Sequence, residues 1–252
     1  WRYAWAAMGI FGIIAAFGFE LVIQKRRAHE IPSSEGPKPE DQGSVPVYRL
    51  LFNPRKLLFL MGSYFFFGWG YIIYFTYLIP YLVSKGIPSL YTGLIWSGIG
   101  CAGLFNGWIG GKAIDRWPSG YTLALGLAFG TIGVSGVITG SMFFTALGAV
   151  AVGLVSFITP PLMITALLRR HVPQRAYTAC LSIATACFAF GQMIGPIVGG
   201  IGVERYGLQF GVASSAIFMA IAAALAGMYG RQQRKVVIHE LPLQSREKIE
   251  RL

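Results

Sequence analysis

Charge is what this sequence lacks most. Only 12% of its 252 residues are Asp, Glu, Lys or Arg, against the roughly 25% usual in soluble domains. That is too little polar surface to cover a water-facing globule, so a soluble globular class is excluded. Acids are scarcer still, ten in all, and none lies near the middle of an apolar run between Leu57 and Tyr229. A membrane enzyme would need clustered His, Asp or Glu at that depth; the pattern excludes an enzyme and calls for no metal and no cofactor. Cysteine is also sparse: Cys101, Cys180 and Cys187 all sit in apolar runs. They form neither a disulfide framework nor a zinc spacing, and packing accounts for them. No signal peptide opens the chain. Trp1 leads directly into an apolar run, which reads as a lost N-terminus or a fragment.

What is present is apolar: 54% of the residues, with 33 glycines spread through the hydrophobic runs rather than gathered in loops. Membrane helices use glycine this way, because close backbone contact replaces the hydrophobic drive that lipid cannot supply. About 20 apolar residues cross the hydrocarbon core. Seven stretches qualify: 3–23, 57–83, 90–111, 121–138, 142–168, 178–202 and 210–229. Backbone groups in lipid must be satisfied within the segment, so the expected fold is all-α, a polytopic membrane bundle of seven spans. Pro160 and Pro161 remove two backbone donors from the fifth span and should kink it.

The 21 lysines and arginines are distributed unevenly. Eighteen fall in the loops after the first, third and fifth spans and in the tail, and only Arg2, Lys85 and Arg205 fall on the other face. The basic loops are therefore expected in the cytoplasm, with a cytoplasmic C-terminus. The same scatter excludes nucleic acid as a partner, because the +11 charge is spread over four segments rather than one groove. His29, His171 and His239 also fall on the cytoplasmic side and read as solvated residues. Residues 30–46, rich in proline and mixed charge, cannot pack a core. The organisation that follows is one span at 1–23, a cytoplasmic linker at 24–56, a six-helix bundle at 57–229 and a cytoplasmic tail at 230–252, part of which could form a short amphipathic helix.

An octet recurs. Residues 110–117 read Gly-Gly-Lys-Ala-Ile-Asp-Arg-Trp, and 199–206 read Gly-Gly-Ile-Gly-Val-Glu-Arg-Tyr. Each ends a helix bearing glycines at four-residue spacing: Gly103, Gly107 and Gly111, then Gly191, Gly195 and Gly199. These glycines are read as helix-packing residues. Three spans separate the copies, so the octets lie on opposite faces. The six-helix bundle is thus expected to be two inverted three-helix repeats, an architecture recurrent in secondary transporters.

The run Gly111-Lys-Ala-Ile-Asp115-Arg116 resembles the signature cytoplasmic loop of the major facilitator superfamily, G-x-x-x-D-R-x-G-R-[RK]. The stretch from Val172-Pro-Gln-Arg175 to Gly195-Pro-Ile-Val-Gly-Gly200 is similar to that family's tenth loop and eleventh helix, and the general run is similar to its bacterial YbfB/YjiJ-type branch. The resemblance implies a secondary transporter of a bacterial inner membrane, working by alternating access. This chain would supply its C-terminal half plus helix 6, and its partners would be membrane lipid, a small-molecule substrate and the missing N-terminal half. One departure stands out: Tyr121 and Thr122 replace the closing basic pair. Gly111, Asp115, Arg116 and Arg175 become gating candidates, with Arg169, Arg170 and Arg175 as partners for Asp115.

Within the second span Tyr64 and Tyr81 suit an interface belt. Trp69, Tyr71 and Tyr74 lie near its middle, where either a cavity or a neighbouring helix would serve their polar atoms; they are read, with Asn106 and Gln192, as substrate-cavity candidates. Asn106 and Gln192 either contact a solute or hydrogen-bond two helices together. Glu20, about a turn from Lys25, can reach the cytoplasmic interface. A seven-helix receptor is the alternative from another class, with the same span count and Asp115-Arg116-Trp117 in place of an acid-arginine-aromatic triplet. Its fourth loop would be only Thr139-Gly140-Ser141, and the last span has no retinal-type lysine.

Overall fold

The computed structural model describes Ile10, Ile13, Ile14, Phe17 and Glu20, then residues 57–117, 119–156 and 159–240, with backbone alone at 156, 159, 175 and 235–240. The chain divides into two units, Trp1–Ser44 and Val45–Leu252. In the first, the five described residues are helical. The expected linker at 30–46 lies outside the described residues.

The second unit is helical: α1 Leu58–Ser84, α2 Ser89–Arg116, α3 Gly120–Ile138, α4 Met142–Ser156, α5 Thr159–His171, α6 Gln174–Tyr206 and α7 Leu208–Glu240. No strand occurs among the described residues. Five stretches are long and apolar enough to cross a bilayer: α1, α3, the Met142–His171 run holding α4 and α5, Ala176–Tyr206 and Leu208–Arg234. The sequence leads one to expect seven. Of the other two, 3–23 lies mostly outside the described residues, and α2 has the length but not the hydropathy. Its 28 residues would measure about 42 Å at 1.5 Å each, yet seven are glycine, and Trp96, Trp108 and Asn106 lower the mean further. The geometry of the expected proline kink rests on Phe157 and Ile158, which lie outside the described residues. The basic stretch after 229 is not a separate short helix, because α7 runs on to Glu240.

Local chemistry sets the helix ends. Gly86 adopts a φ of 75° after α1, its N–H donates to the Val83 carbonyl and that of Ile87 to Leu82. This is a glycine-based C-terminal cap that closes orphan carbonyls. Ser119 caps α3 by accepting from the Thr122 N–H at 3.2 Å, and Gly207, with a φ of 82°, is the whole connection between α6 and α7.

Packing follows a definite order. α1 lies along α7 and α6, α4 lies along α3 and α2, and α3 and α7 lie along each other. Each of these contacts is made where glycine lets backbones meet. A Cβ at Gly148 would strike the Gly133 carbonyl of α3, one at Gly153 the Ile99 carbonyl of α2, and one at Gly191 the Phe65 carbonyl of α1. On the α7 side, one at Gly70 would come within 2.9 Å of the Ser215 carbonyl, and one at Gly120 within 2.8 Å of the Ala226 carbonyl. Ser215 and Ser63 then donate across the α1–α7 seam, to the Gly70 carbonyl at 2.6 Å and the Ala222 carbonyl at 2.9 Å.

Two apolar cores fill the bundle. One gathers Leu60, Phe67, Leu127, Ile164 and Leu167; the other gathers Tyr74, Leu78, Ile99, Val134 and Val152. The outer surface is apolar as well: Leu104, Leu125, Phe143 and Ile132 are each at least 69% exposed. Water would penalise such a surface, whereas a bilayer accepts it.

Backbone contact at Gly148 makes a direct prediction. Gly148→Ala should destabilise the bundle by about 1–3 kcal/mol, the usual cost of overpacking. Unfolding in detergent followed by circular dichroism measures it, and an unchanged midpoint would mean that α3 and α4 are not this close.

Candidate functional site

The mid-span polar groups are placed differently from one another. Asn106 is fully buried, and its Nδ2 donates to the Gly153 carbonyl at 3.3 Å, tying α2 to α4. Gly153 permits that approach, so here Asn106 acts between helices. Gln192 is half-buried on α6 beside Gly191 and Gly195, whose missing side chains admit α1. Gly199 faces the Tyr77 ring of α1, and the Tyr77 hydroxyl donates to the Pro196 carbonyl at 3.1 Å. Gly103 and Gly107 are half-buried on α2.

The aromatic side chains of α1 divide by face. Tyr74 is fully buried in the second core with its hydroxyl unpartnered, so it borders no opening. Trp69 stacks on Phe218 of α7 at 4.5 Å, and its indole N–H is buried without a partner. Tyr71 is half-buried among Phe67, Phe75 and Phe188, with ring centroids at 5.5, 4.9 and 6.3 Å. Phe75 meets Trp96 of α2 edge-on at 5.5 Å, and Phe188 of α6 stacks on Tyr64 at 4.7 Å. The result is a chain of rings from α6 over α1 to α2. Phe188 and Trp96 carry no signal in their own helices and become visible only when the three helices are brought together. Tyr64 and Tyr81 do not form an interface belt, since they are only 6% and 3% exposed. Gly68 and Gly191 let α6 close over Tyr64.

At the end of α2, Gly111 and Asp115 line a cavity of about 520 Å³ with Thr165, Arg169 and Arg170 of α5. Two of the three arginines expected near Asp115 are thus brought to it; the side chain of Arg175, in the first turn of α6, lies outside the described residues. Arg116 points elsewhere, with its guanidinium 5.3 Å from the Trp117 ring. Arg169 approaches the Tyr177 ring of α6 at 5.7 Å. A second cavity, of about 460 Å³, lies at the ends of α1 and α6, where Tyr81, Ser84 and Lys85 face Val203 and Tyr206.

His171 is more than a solvated residue. Its Nδ1 lies 2.8 Å from the Leu167 carbonyl and 3.3 Å from the Tyr229 hydroxyl, and its Nε2 lies 3.3 Å from Gln233 Nε2. A carbonyl only accepts and an amide nitrogen only donates, so the contacts fit a proton on Nδ1 and a bare Nε2. Gln233 Oε1 meanwhile accepts from the Gly120 N–H at 2.9 Å, capping α3 a second time. One glutamine therefore clasps α3, α5 and α7. The sequence could not reveal this, because the partners are far apart along the chain.

A family model described as uncharacterised MFS-type transporter YbfB matches residues 2–229. The chain belongs to that family. That family is one of membrane transporters of the major facilitator type rather than of enzymes or receptors, which removes the receptor alternative. The Bacillus subtilis (strain 168) protein named uncharacterized MFS-type transporter YbcL is similar, 27% identical over 236 residues. The match covers 89% of this chain and 56% of that relative, so the chain spans about half of the relative's length. No solved structure matches.

The clasp of this YbfB-type chain can be tested at its centre. Gln233→Ala should destabilise the α3–α7 contact by about 1 kcal/mol, typical of losing a helix cap. Gln233→Glu, which keeps the acceptor for Gly120, should lose less. Amide exchange at Gly120 reads both variants, and equal protection in all three proteins would rule the clasp out.

Proposed function

We propose that this chain is the C-terminal half, with helix 6, of a secondary active transporter that moves a small solute by alternating access. The observation that carries the reading is the packing order. Exchanging α1, α2 and α3 for α4–α5, α6 and α7 leaves the five principal helix contacts unchanged: α1–α7 maps onto α4–α3, α1–α6 onto α4–α2, and α3–α7 onto itself. Such invariance is expected of two three-helix units related by a twofold axis in the membrane plane. The octets support it, each closing the second helix of its unit. Seven spans, with α2 as the third, agree with this order. The 56% coverage of the relative supports a fragment.

On this reading the solute binds in a cavity bordered by Tyr71, with Gln192 beside it and the ring chain forming the wall; Trp69, Tyr74 and Asn106 support that wall from behind. No acid lies at mid-span in 57–229, so a carboxylate for proton coupling would belong to the other half. The basic loops favour an inner membrane and a cytoplasmic C-terminus. Asp115 opposite Arg169 and Arg170 acts as a gate, its charges closing together in one state and parting in the other.

The gate separates rate from binding. With the full-length protein in liposomes, uptake is screened across amino acids, organic acids, sugars and hydrophobic toxicants. For the solute carried, Asp115→Asn should lower turnover about fivefold or more, the lower range of coupling between states, with affinity nearly unchanged. Equal turnover would remove the gating role, and a protein that binds but never transports would remove the carrier reading.

A further inference from the structure

We propose that Lys85 and Glu204 form an outer charged gate, the inverted counterpart of Asp115 with Arg169 and Arg170. This rests on the alternating-access reading above. The two octets place their acids alike. Asp115 is in the last turn of α2, which closes with Trp117 N–H donating to the Ala113 carbonyl at 2.9 Å; Glu204 is in the last turn of α6, which closes with Gly207 N–H donating to Val203 at 2.8 Å. Ile114 and Val203, equivalent in the octets, each line a cavity; Asp115 lines the first itself, and Glu204 directly follows Val203 at the second. Each cavity lies between an octet helix and the C-terminal end of the first helix of the other triplet: α5, completing the α4–α5 run, for the first and α1 for the second. Each opposing end brings positive charge to the cavity wall, Arg169 and Arg170 in one case and Lys85 in the other.

Lys85 is held where a gate needs it. It is the capping residue of α1, fixed by the turn at Gly86, and its Nζ lies 5.5 Å from the Tyr81 ring. Neither Asp115 nor Glu204 makes an ion pair among the described residues, and both are exposed. Water therefore screens both sets of charges while the cavities are open. Closing either cavity expels that water and strengthens the attraction within it. If the octets face opposite sides, rocking that closes one cavity opens the other, so the gates oppose each other.

The full-length protein, cleared of other reactive cysteines, is given the pair Lys85→Cys and Glu204→Cys and treated with a short bismaleimide. Linked peptides are counted by mass spectrometry, with and without Asp115→Asn. The proposal expects a cross-link whose yield rises about fivefold or more when the inner gate is weakened, the lower range for coupled sites. No cross-link, or a yield indifferent to Asp115→Asn, overturns it. The outer gate alone fails if the Glu204→Cys thiol reacts from outside yet never links to the Lys85→Cys thiol. The alternating-access reading itself fails if the Glu204→Cys thiol proves to share a membrane face with Asp115.

Discussion

Backbone-to-backbone contact at glycine is the constraint on which the bundle depends. Lipid tails are as apolar as leucine, so helices in a bilayer gain nothing by burying leucine against leucine rather than against lipid. They associate where the surfaces fit closely enough for many weak dispersion contacts to add up. Gly133 against Gly148, Gly153 against Ile99, Gly191 against Phe65 and Gly120 against Gly230 are such places. The interhelical bonds from Ser215, Ser63 and Asn106 exist because these approaches bring carbonyls within reach. The ring chain has the same cause, since Phe188 reaches Tyr64 only because Gly68 and Gly191 let α6 settle on α1.

Much of the fold was legible in the sequence, for a physical reason. A span is defined by apolar length, and apolar length is written along the chain. Stretches 57–83 and 121–138 correspond closely to α1 Leu58–Ser84 and α3 Gly120–Ile138. The far end of α7 was not legible, because hydropathy ends where lipid ends rather than where the helix does. Arg231, Gln232, Gln233 and Arg234 are good helix formers, and the helix continues through them to Glu240. α2 shows the converse: the glycines, tryptophans and Asn106 that suit it to close packing lower its hydropathy.

The site was less legible, because it is made between helices. Tyr74 shares the depth of Tyr71, and no spacing rule distinguishes a phenol facing a core from one facing an opening. The structure buries Tyr74 fully in the second core and leaves Tyr71 half-buried against the first. The Gln233 clasp joins residues that no local pattern connects. The octet differs because it recurs. A pattern repeated at the ends of two helices carries tertiary information even in one dimension, and residues of both copies line cavities that a basic side chain also lines.

Everything functional in this account turns on the two octets facing opposite sides of the membrane. The direct measurement makes Asp115→Cys and Glu204→Cys separately in the full-length protein and exposes intact cells to a membrane-impermeant maleimide. Octets on opposite faces require that the Glu204→Cys protein labels from outside and the Asp115→Cys protein only after permeabilisation. Labelling of both from the same side would contradict that arrangement.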